Sequence, residues 1–226
     1  MTERTWGYAS QVGRWEGIAE VPTELRGRSV DAAVHILDCF LPALAELHRP
    51  TTIQLTWLEY HNHPTESTVH ELVETPVTGW DDLRQQLRSL NTGTDDRVDL
   101  RDLFIHLETC VTESTGDAWV GQSGMFQITL SSTDPGHLSA AVSYTTFIDV
   151  WLSTTYGEHY RPQSNTETSK HNRPRLRAFL LRFAELVGDS FRTDLSRLYY
   201  FAITPTGFRD SDDIPVRTRV VGERCK

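Results

Sequence analysis

Two histidines separated by one residue, His61 and His63, are the positions whose type and spacing most directly suggest chemistry. They follow an alternating apolar run and precede Pro64, so we expect them at the end of a strand. Side chains two residues apart on a strand point to the same face, as the chelation of one ion requires. Imidazole nitrogens and carboxylate oxygens both bind zinc, and Glu74 is a candidate for a third ligand.

The order His61, His63 and Pro64 resembles the metal motif of the MPN/JAMM metalloproteases. That motif places His-x-His-Pro after a strand and Ser-x-x-Asp further along, and the two histidines and the aspartate hold zinc. Seven residues past the proline, this chain has Glu71 where the family has the serine, and Glu74 stands in place of the aspartate. The resemblance implies a zinc-dependent hydrolase, because zinc accepts a glutamate oxygen as it accepts an aspartate oxygen.

A hydrolase of this kind also needs a base beside the metal. Glu20 and Glu59 are the candidates for orienting a metal-bound water. The competing interpretation places both histidines on the surface, where a strand passes into a loop, and the protein then needs no cofactor. The sequence leaves both interpretations open.

The acidic residues are unevenly distributed along the chain, whose formal net charge is -9 at pH 7. Between positions 64 and 117, twelve acidic residues stand against four arginines, which gives this quarter of the chain a net charge of -8. Binding to nucleic acid requires several uncompensated cations, so we expect no nucleic-acid partner. An acidic stretch suits a basic protein partner, and it is also typical of an ordinary solvated surface.

One segment of the acidic stretch combines negative charge with an aromatic side chain. Trp80 opens a predicted helix whose first turn carries Asp81 and Asp82, and Asp95 and Asp96 follow the end of that helix. Tryptophan is among the residues that most often dominate the binding energy of an interface. We therefore predict that these five residues bind a basic protein partner.

Cysteine usage and hydropathy indicate a compartment. The three cysteines form neither an even disulfide framework nor a paired metal spacing, which is typical of a reducing cytoplasm. The chain has no apolar run of the roughly 18 residues that cross a membrane, so we expect a cytoplasmic protein with no membrane partner. Of the 22 basic residues nearly all are arginine, a bias that indicates a GC-rich prokaryote or a halophilic archaeon.

Apolar residues at helical spacing predict three helices. The first runs from Ser29, its predicted N-cap, to about position 48, and Pro42 should kink or break it. Thr78 is the predicted N-cap of the second helix. Asn172 is the predicted N-cap of the third helix, which should end at Gly188. A polar loop is expected at 154–171.

Alternating apolar and polar residues predict several strands. They lie at 53–58, 103–111, 125–131, 138–152, 198–203 and 216–221. The turn sequence Asp134-Pro135-Gly136 should join the third and fourth of these as a hairpin. Glycines punctuate residues 1–28, so we expect an N-terminal arm that is irregular or forms short strands.

Strands joined by turns, without regular helical crossovers, favour an α+β fold with a mixed or mainly antiparallel sheet. We predict a single domain over residues 29–226, with about three helices packed on one face of the sheet. The sequence favours a non-catalytic cytoplasmic protein-binding protein, such as an immunity or inhibitor protein that neutralises a basic partner through an acidic face. The alternatives are a zinc-dependent hydrolase centred on His61 and His63, and a virus- or plasmid-encoded structural protein.

Overall fold

A seven-stranded antiparallel sheet and three α-helices make up the part of the protein that the computed structural model describes, residues 6–60, 67–90, 97–134, 137–156, 162–193 and 202–209. The helices are α1 (Ser29–Leu47), α2 (Trp80–Ser89) and α3 (Thr166–Val187). The strands are β1 (Tyr8–Ala19), β2 (His48–Tyr60), β3 (Ser67–Pro76), β4 (Arg97–Glu113), β5 (Gly116–Asp134), β6 (His137–Ile148), β7 (Thr154–Tyr156), β8 (Pro162–Ser164), β9 (Arg192–Thr193), β10 (Ala202–Thr204) and β11 (Gly207–Arg209).

The strand order of the sheet is β3-β2-β4-β5-β6-β1-β9, and the short pairs β7–β8 and β10–β11 lie outside it. Each pairing within the described sheet is antiparallel. The three helices pack on one face. The predicted α+β fold with a mainly antiparallel sheet is therefore confirmed.

The core lies between the helices and one face of the sheet, where alternate residues of the strands are apolar. Directly paired, fully buried residues form a row across four strands: Ile53, Ile105, Phe126 and Tyr144. Above this row, the Phe40 ring of α1 lies 5.1 Å from the Phe183 ring of α3 and 5.3 Å from Phe126. Burying each such side chain contributes roughly 1.5–3 kcal/mol.

Helix α1 forms where the sequence predicts it, but its start differs. Its N-cap is Arg28, and Ser29 is the buried first residue of the helix. The Ser29 hydroxyl accepts a hydrogen bond from the Leu100 backbone N–H at 2.8 Å, so it joins the helix to β4 instead of capping it. The helix continues through Pro42 to Leu47, so the predicted break does not occur.

The expectation of an irregular or short-stranded arm over residues 1–28 is wrong for the strand β1, which is twelve residues long, Tyr8–Ala19. It pairs with β6 at Tyr8 and again from Gly13 to Ala19, with an irregularity between the two. Its glycines serve close packing. A Cβ on Gly13 would lie 2.6 Å from the Trp15 ring, and a Cβ on Gly17 would lie 2.5 Å from the Val187 side chain. Because glycine replaces apolar residues at these contacts, the alternating pattern that marks a strand is hidden.

Helix α3 begins at Thr166, six residues before the predicted cap Asn172, so part of the predicted loop 154–171 is helical. Asn172 is fully buried within the helix. Its side-chain oxygen accepts the Thr112 N–H at 2.9 Å, and its nitrogen donates to the Thr112 carbonyl at 2.8 Å. The pairing of β2 with β4 stops at His48, where β2 begins, so β2 offers Thr112 no hydrogen-bond partner. Asn172 supplies the hydrogen bonds there instead.

The predicted hairpin is confirmed, because β5 and β6 pair up to Asp134 opposite His137. Pro135 and Gly136 lie outside the described residues. Of the strand predicted at 198–203, residues 198–201 lie outside the described residues, and Ala202–Thr204 forms β10. The strand predicted at 216–221 also lies outside the described residues.

Candidate functional site

The face of the sheet opposite the helices, here called the open face, is covered by no helix among the described residues. Its central row of directly paired residues crosses six strands, β2, β4, β5, β6, β1 and β9. The row consists of Gln54, Phe104, Gln127, Ser143, Glu16 and Arg192. Parallel rows run from Thr52 to Arg14 on one side and from Thr56 to Ile18 on the other.

Hydrogen bonds between strands organise the centre of the open face. Gln127 accepts a hydrogen bond from the Ser143 hydroxyl at 3.4 Å and donates one to Thr129 at 3.0 Å. Thr129 in turn donates to Asp102 at 2.7 Å. Because these polar groups have partners within the sheet, they form an ordered polar surface, here called the platform.

An exposed tryptophan marks one end of the open face. Trp119 of β5 is 45% exposed, and the Arg49 guanidinium lies 4.5 Å from the centre of its ring. Arg49 also forms an ion pair with Glu108 of β4. A cation over the face of an indole ring and a carboxylate behind it fix both side chains in one arrangement. The tryptophan is therefore an ordered apolar anchor on the surface.

The hairpin of β4 and β5 that carries Trp119 extends past His48, where β2 begins. Side chains of α3 contact this extension. Arg175 of α3 donates to the Cys110 carbonyl at 2.8 Å and to the Thr112 hydroxyl at 3.1 Å. These contacts add to the pair of hydrogen bonds from Asn172. These hydrogen bonds tie the extension to α3.

The opposite end of the open face contains a depression of about 290 Å³ beside β9. Arg14, Glu16, Gln127, Ser143 and Arg192 are among the residues that line it. The Arg14 and Glu16 side chains form an ion pair at 3.4 Å. Two arginines, Arg14 and Arg192, therefore lie at this edge, beside the Ser143 hydroxyl and the Gln127 amide.

The predicted partner-binding residues of α2 are engaged locally. Thr78 donates its backbone N–H and its hydroxyl to Asp82 at 2.7 and 3.0 Å. These bonds, the backbone bond foremost, lower the pKa of the Asp82 carboxyl below its ordinary value. The predicted capping by Thr78 is therefore corrected: Gly79 occupies the N-cap position, and Asp82 accepts hydrogen bonds from the residue that precedes it.

Asp81 and Trp80 also have partners. Arg84 bridges Asp81 at 2.8 Å and Asp38 of α1 at 2.6 Å, so part of the charge of α2 is neutralised. Trp80 is partly buried and packs against the core. Asp95 and Asp96 lie outside the described residues, and the binding of a basic partner by this region stays a prediction.

The predicted metal ligands are mostly outside the described residues, which include neither His61 nor His63. Glu74 lies exposed on β3 with a φ of 45°, at the point where the pairing with β2 shifts register. Within the described ranges, no group of three histidine, cysteine, aspartate or glutamate side chains lies close enough to hold a metal ion. The zinc site stays a prediction.

A buried polar cluster under α3 escaped the sequence analysis. His48 lies 3.1 Å from the Thr109 hydroxyl, which accepts a hydrogen bond from Ser123 at 2.6 Å. Burial, and to a smaller extent the nearby Arg175, lowers the pKa of His48 to about 3, against the opposing effect of the Glu108 carbonyl. All three clustered side chains are buried, so the cluster belongs to the core and offers a substrate no surface.

No protein-family model matches the chain, and neither a curated protein nor a solved structure shows significant similarity to it. In the described part of the chain, none of the helices combines the length and the apolar character needed to cross a membrane.

The open face itself was missed by the sequence analysis, which placed the partner surface on α2. The signal was present in β6, where Ser139, Ala141, Ser143 and Thr145 alternate with buried apolar residues. A strand with one apolar side and one side of short polar residues indicates that only one face is covered. The open face is therefore a candidate binding surface.

Proposed function

We propose that the protein is a non-catalytic protein-binding protein that docks its partner on the open face of the sheet. The observation that carries this proposal is Trp119, which is 45% exposed and held by Arg49 on a face that no described helix covers. Tryptophan and arginine are the residues most enriched among those that dominate binding energy. An anchor that is already ordered loses little side-chain entropy when a partner covers it.

The composition of the open face supports a protein partner. Apolar side chains are distributed among hydroxyl and amide groups, and Ile18 and Val69 are 59% and 61% exposed. Opposite charges occur side by side, as in the pairs Arg14–Glu16 and Arg49–Glu108. A mixed surface of this kind is typical of protein interfaces, whereas a nucleic acid requires an excess of cations.

Site-specific photo-cross-linking in the protein's own cells tests the proposal. A photo-reactive amino acid at position 141, where Ala141 lies exposed on the open face, should give a cross-linked protein product. The same amino acid at position 177, where Arg177 lies exposed on α3, is the control and should give none. Adding Trp119→Ala to the first variant should reduce its yield.

Absence of a product from position 141 would refute the proposal. Equal yields from positions 141 and 177 would refute it as well, because they would indicate random collision. A product from position 141 that is unaffected by Trp119→Ala would show that the tryptophan does not anchor the partner.

A further inference from the structure

We infer that the occupant of the open face is a second copy of this chain, stacked sheet on sheet about a two-fold axis that runs along β5. The inference rests on the proposed function, because it names the partner of the same face. Five properties of the described residues support it: the symmetry of the strand order, the shape and the area of the platform, the charges at the two edges of the sheet, and the protection of the edge strand β3.

The strand order is centred on β5, which is the fourth of seven strands. A two-fold axis parallel to β5, midway between two stacked sheets, places β6 over β4, β1 over β2 and β9 over β3. Gln127 of β5 then lies close to its own counterpart. Such an interface is self-complementary, and two-fold dimers are the commonest oligomers.

The platform has the shape that a second sheet requires. Packed sheets lie about 10 Å apart with their strands within roughly 30° of each other. Short side chains at the centre of the open face permit this approach, because Ser143 and Thr145 are each only 4% exposed between longer neighbours.

The area is also sufficient. The five strands β2, β4, β5, β6 and β1 span about 24 Å across, and ten residues along a strand span about 33 Å. The resulting area of about 800 Å² matches the roughly 800 Å² that each partner contributes to a stable interface of standard size.

The two edges of the platform carry opposite charge. Arg192 lies exposed on β9 at one edge, and Glu71 lies exposed on β3 at the other, opposite Thr56 of the open face. Neither side chain forms an ion pair within the described residues. The two-fold axis brings the Arg192 edge of each copy over the Glu71 edge of the other, so the contact forms twice.

The exposed edge strand β3 is protected against edge-to-edge pairing, which favours contact through the face. It carries Glu71, a register shift at Glu74 and Pro76 at its end. Charged residues, irregularities and proline are the features that prevent an edge strand from adding a further strand.

Sedimentation velocity over a series of protein concentrations tests the inference directly. The wild-type chain should sediment as a dimer that dissociates on dilution. Gln127→Arg should sediment as a monomer at the same concentrations, because two like charges would meet near the axis. A wild-type chain that stays monomeric at every concentration would overturn the inference.

Exchanging the charges of Arg192 and Glu71 distinguishes this interface from any other dimer interface. The test remains valid even if Gln127→Arg does not fold. Arg192→Glu and Glu71→Arg should each weaken dimerisation about tenfold, because each places like charges opposite one another twice. The double variant should recover most of the loss. A dimer indifferent to both single variants would overturn the inference.

Arg177→Glu on the exposed side of α3 is the matched control and should leave the dimer unchanged. The photo-cross-linking product separates the two proposals. A product from position 141 that contains a different protein, with no self-linked chain, would overturn the inference while supporting the proposed function. Lack of any product would overturn both.

Discussion

The two faces of the sheet are built from alternate residues of the same strands, and they differ in almost every physical property. On β6, Ala140, Val142 and Tyr144 are almost completely buried under the helices, whereas the intervening residue Ala141 is exposed. The helix-covered face is apolar and closely packed. The open face consists of short polar side chains, paired charges and a few exposed apolar groups, of which Trp119 is held by Arg49.

The covered face supplies the burial that holds the fold together, since apolar area removed from water is the dominant favourable term in folding. The open face buries less apolar area, so its residues are less constrained by folding. Substitutions should therefore have large effects on stability on one face and small effects on the other.

The largest expected difference lies on α3, between its buried and exposed sides. Phe179 is 3% exposed and packs against Tyr144 at 4.6 Å and Phe183 at 6.1 Å. Phe179→Ala should lower the free energy of unfolding by about 3–5 kcal/mol, because the site loses its contacts and keeps a cavity. Arg177→Ala should change it by less than about 0.5 kcal/mol. Denaturant unfolding measures both, and equal small effects would mean that α3 is peripheral.

The covered face should also make the protein sensitive to acid, through His48. Burial lowers the pKa of His48 to about 3, whereas an unfolded chain has the ordinary value near 6.5. The unfolded state therefore binds the proton first. The contribution of neutral His48 to the free energy of unfolding is fully present above pH 6.5. It is lost as the pH falls toward 3, by at most about 1.4 kcal/mol per pH unit.

Denaturant unfolding between pH 7 and about pH 4.5 measures this loss. The control is His48→Gln. Its free energy of unfolding should depend less on pH than that of the wild-type chain, even if the variant is less stable at every pH. A wild-type chain and a variant with the same pH dependence would show that other groups cause the acid sensitivity.

The same substitution at two neighbouring alanines of β6 allows a direct comparison of the two faces. Ala140 is fully buried under the helices, and Ala141 is exposed on the open face. Ala140→Val should destabilise the fold by about 1–3 kcal/mol, because two extra carbon atoms overfill the core. Ala141→Val should be neutral or slightly stabilising, because valine suits a strand. Thermal unfolding of the two variants tests this, and equal effects would mean that the open face is also packed.

Sequence patterns identified the covered face well. Apolar spacing predicted the helix α3, whose Leu176, Phe179 and Phe183 are buried, whereas Leu186 at the same spacing is 37% exposed. The hairpin of β5 and β6 followed from its turn residues. Burial leaves a periodic apolar pattern in the sequence, and this pattern is what such reasoning detects.

Other features could not be predicted, for physical reasons. Strand β1 was missed because Gly13 and Gly17 stand where side chains from distant parts of the chain press against the backbone. The start of α3 was misplaced because Asn172, which looks like a cap, bonds to Thr112 in another element. The open face was missed as a candidate binding surface because the alternation in β6 indicates an uncovered side of the strand, but it does not indicate which exposed groups, such as Trp119, lie on that side.

The smallest expected effects concern the two acids of α2, which the sequence analysis assigned to a partner surface. Asp82 accepts hydrogen bonds from Thr78 and Gln86, whereas among the described residues Asp81 is paired only with Arg84, at the surface. Asp82→Ala should lower the melting temperature by roughly 2 °C, because the helix start loses its acceptor. Asp81→Ala should leave it within error, since a surface ion pair contributes little.

The same two variants test whether the charge of α2 serves a basic partner. If it does, Asp81→Ala should slow association with that partner, and rising salt should slow the wild-type chain, because exposed charges are screened beyond roughly 8 Å at physiological ionic strength. Cross-linking from position 141 should be insensitive to Asp81→Ala, since that position lies on the open face. A partner whose association rate ignores both salt and Asp81→Ala would show that the acids of α2 serve solubility and helix capping alone.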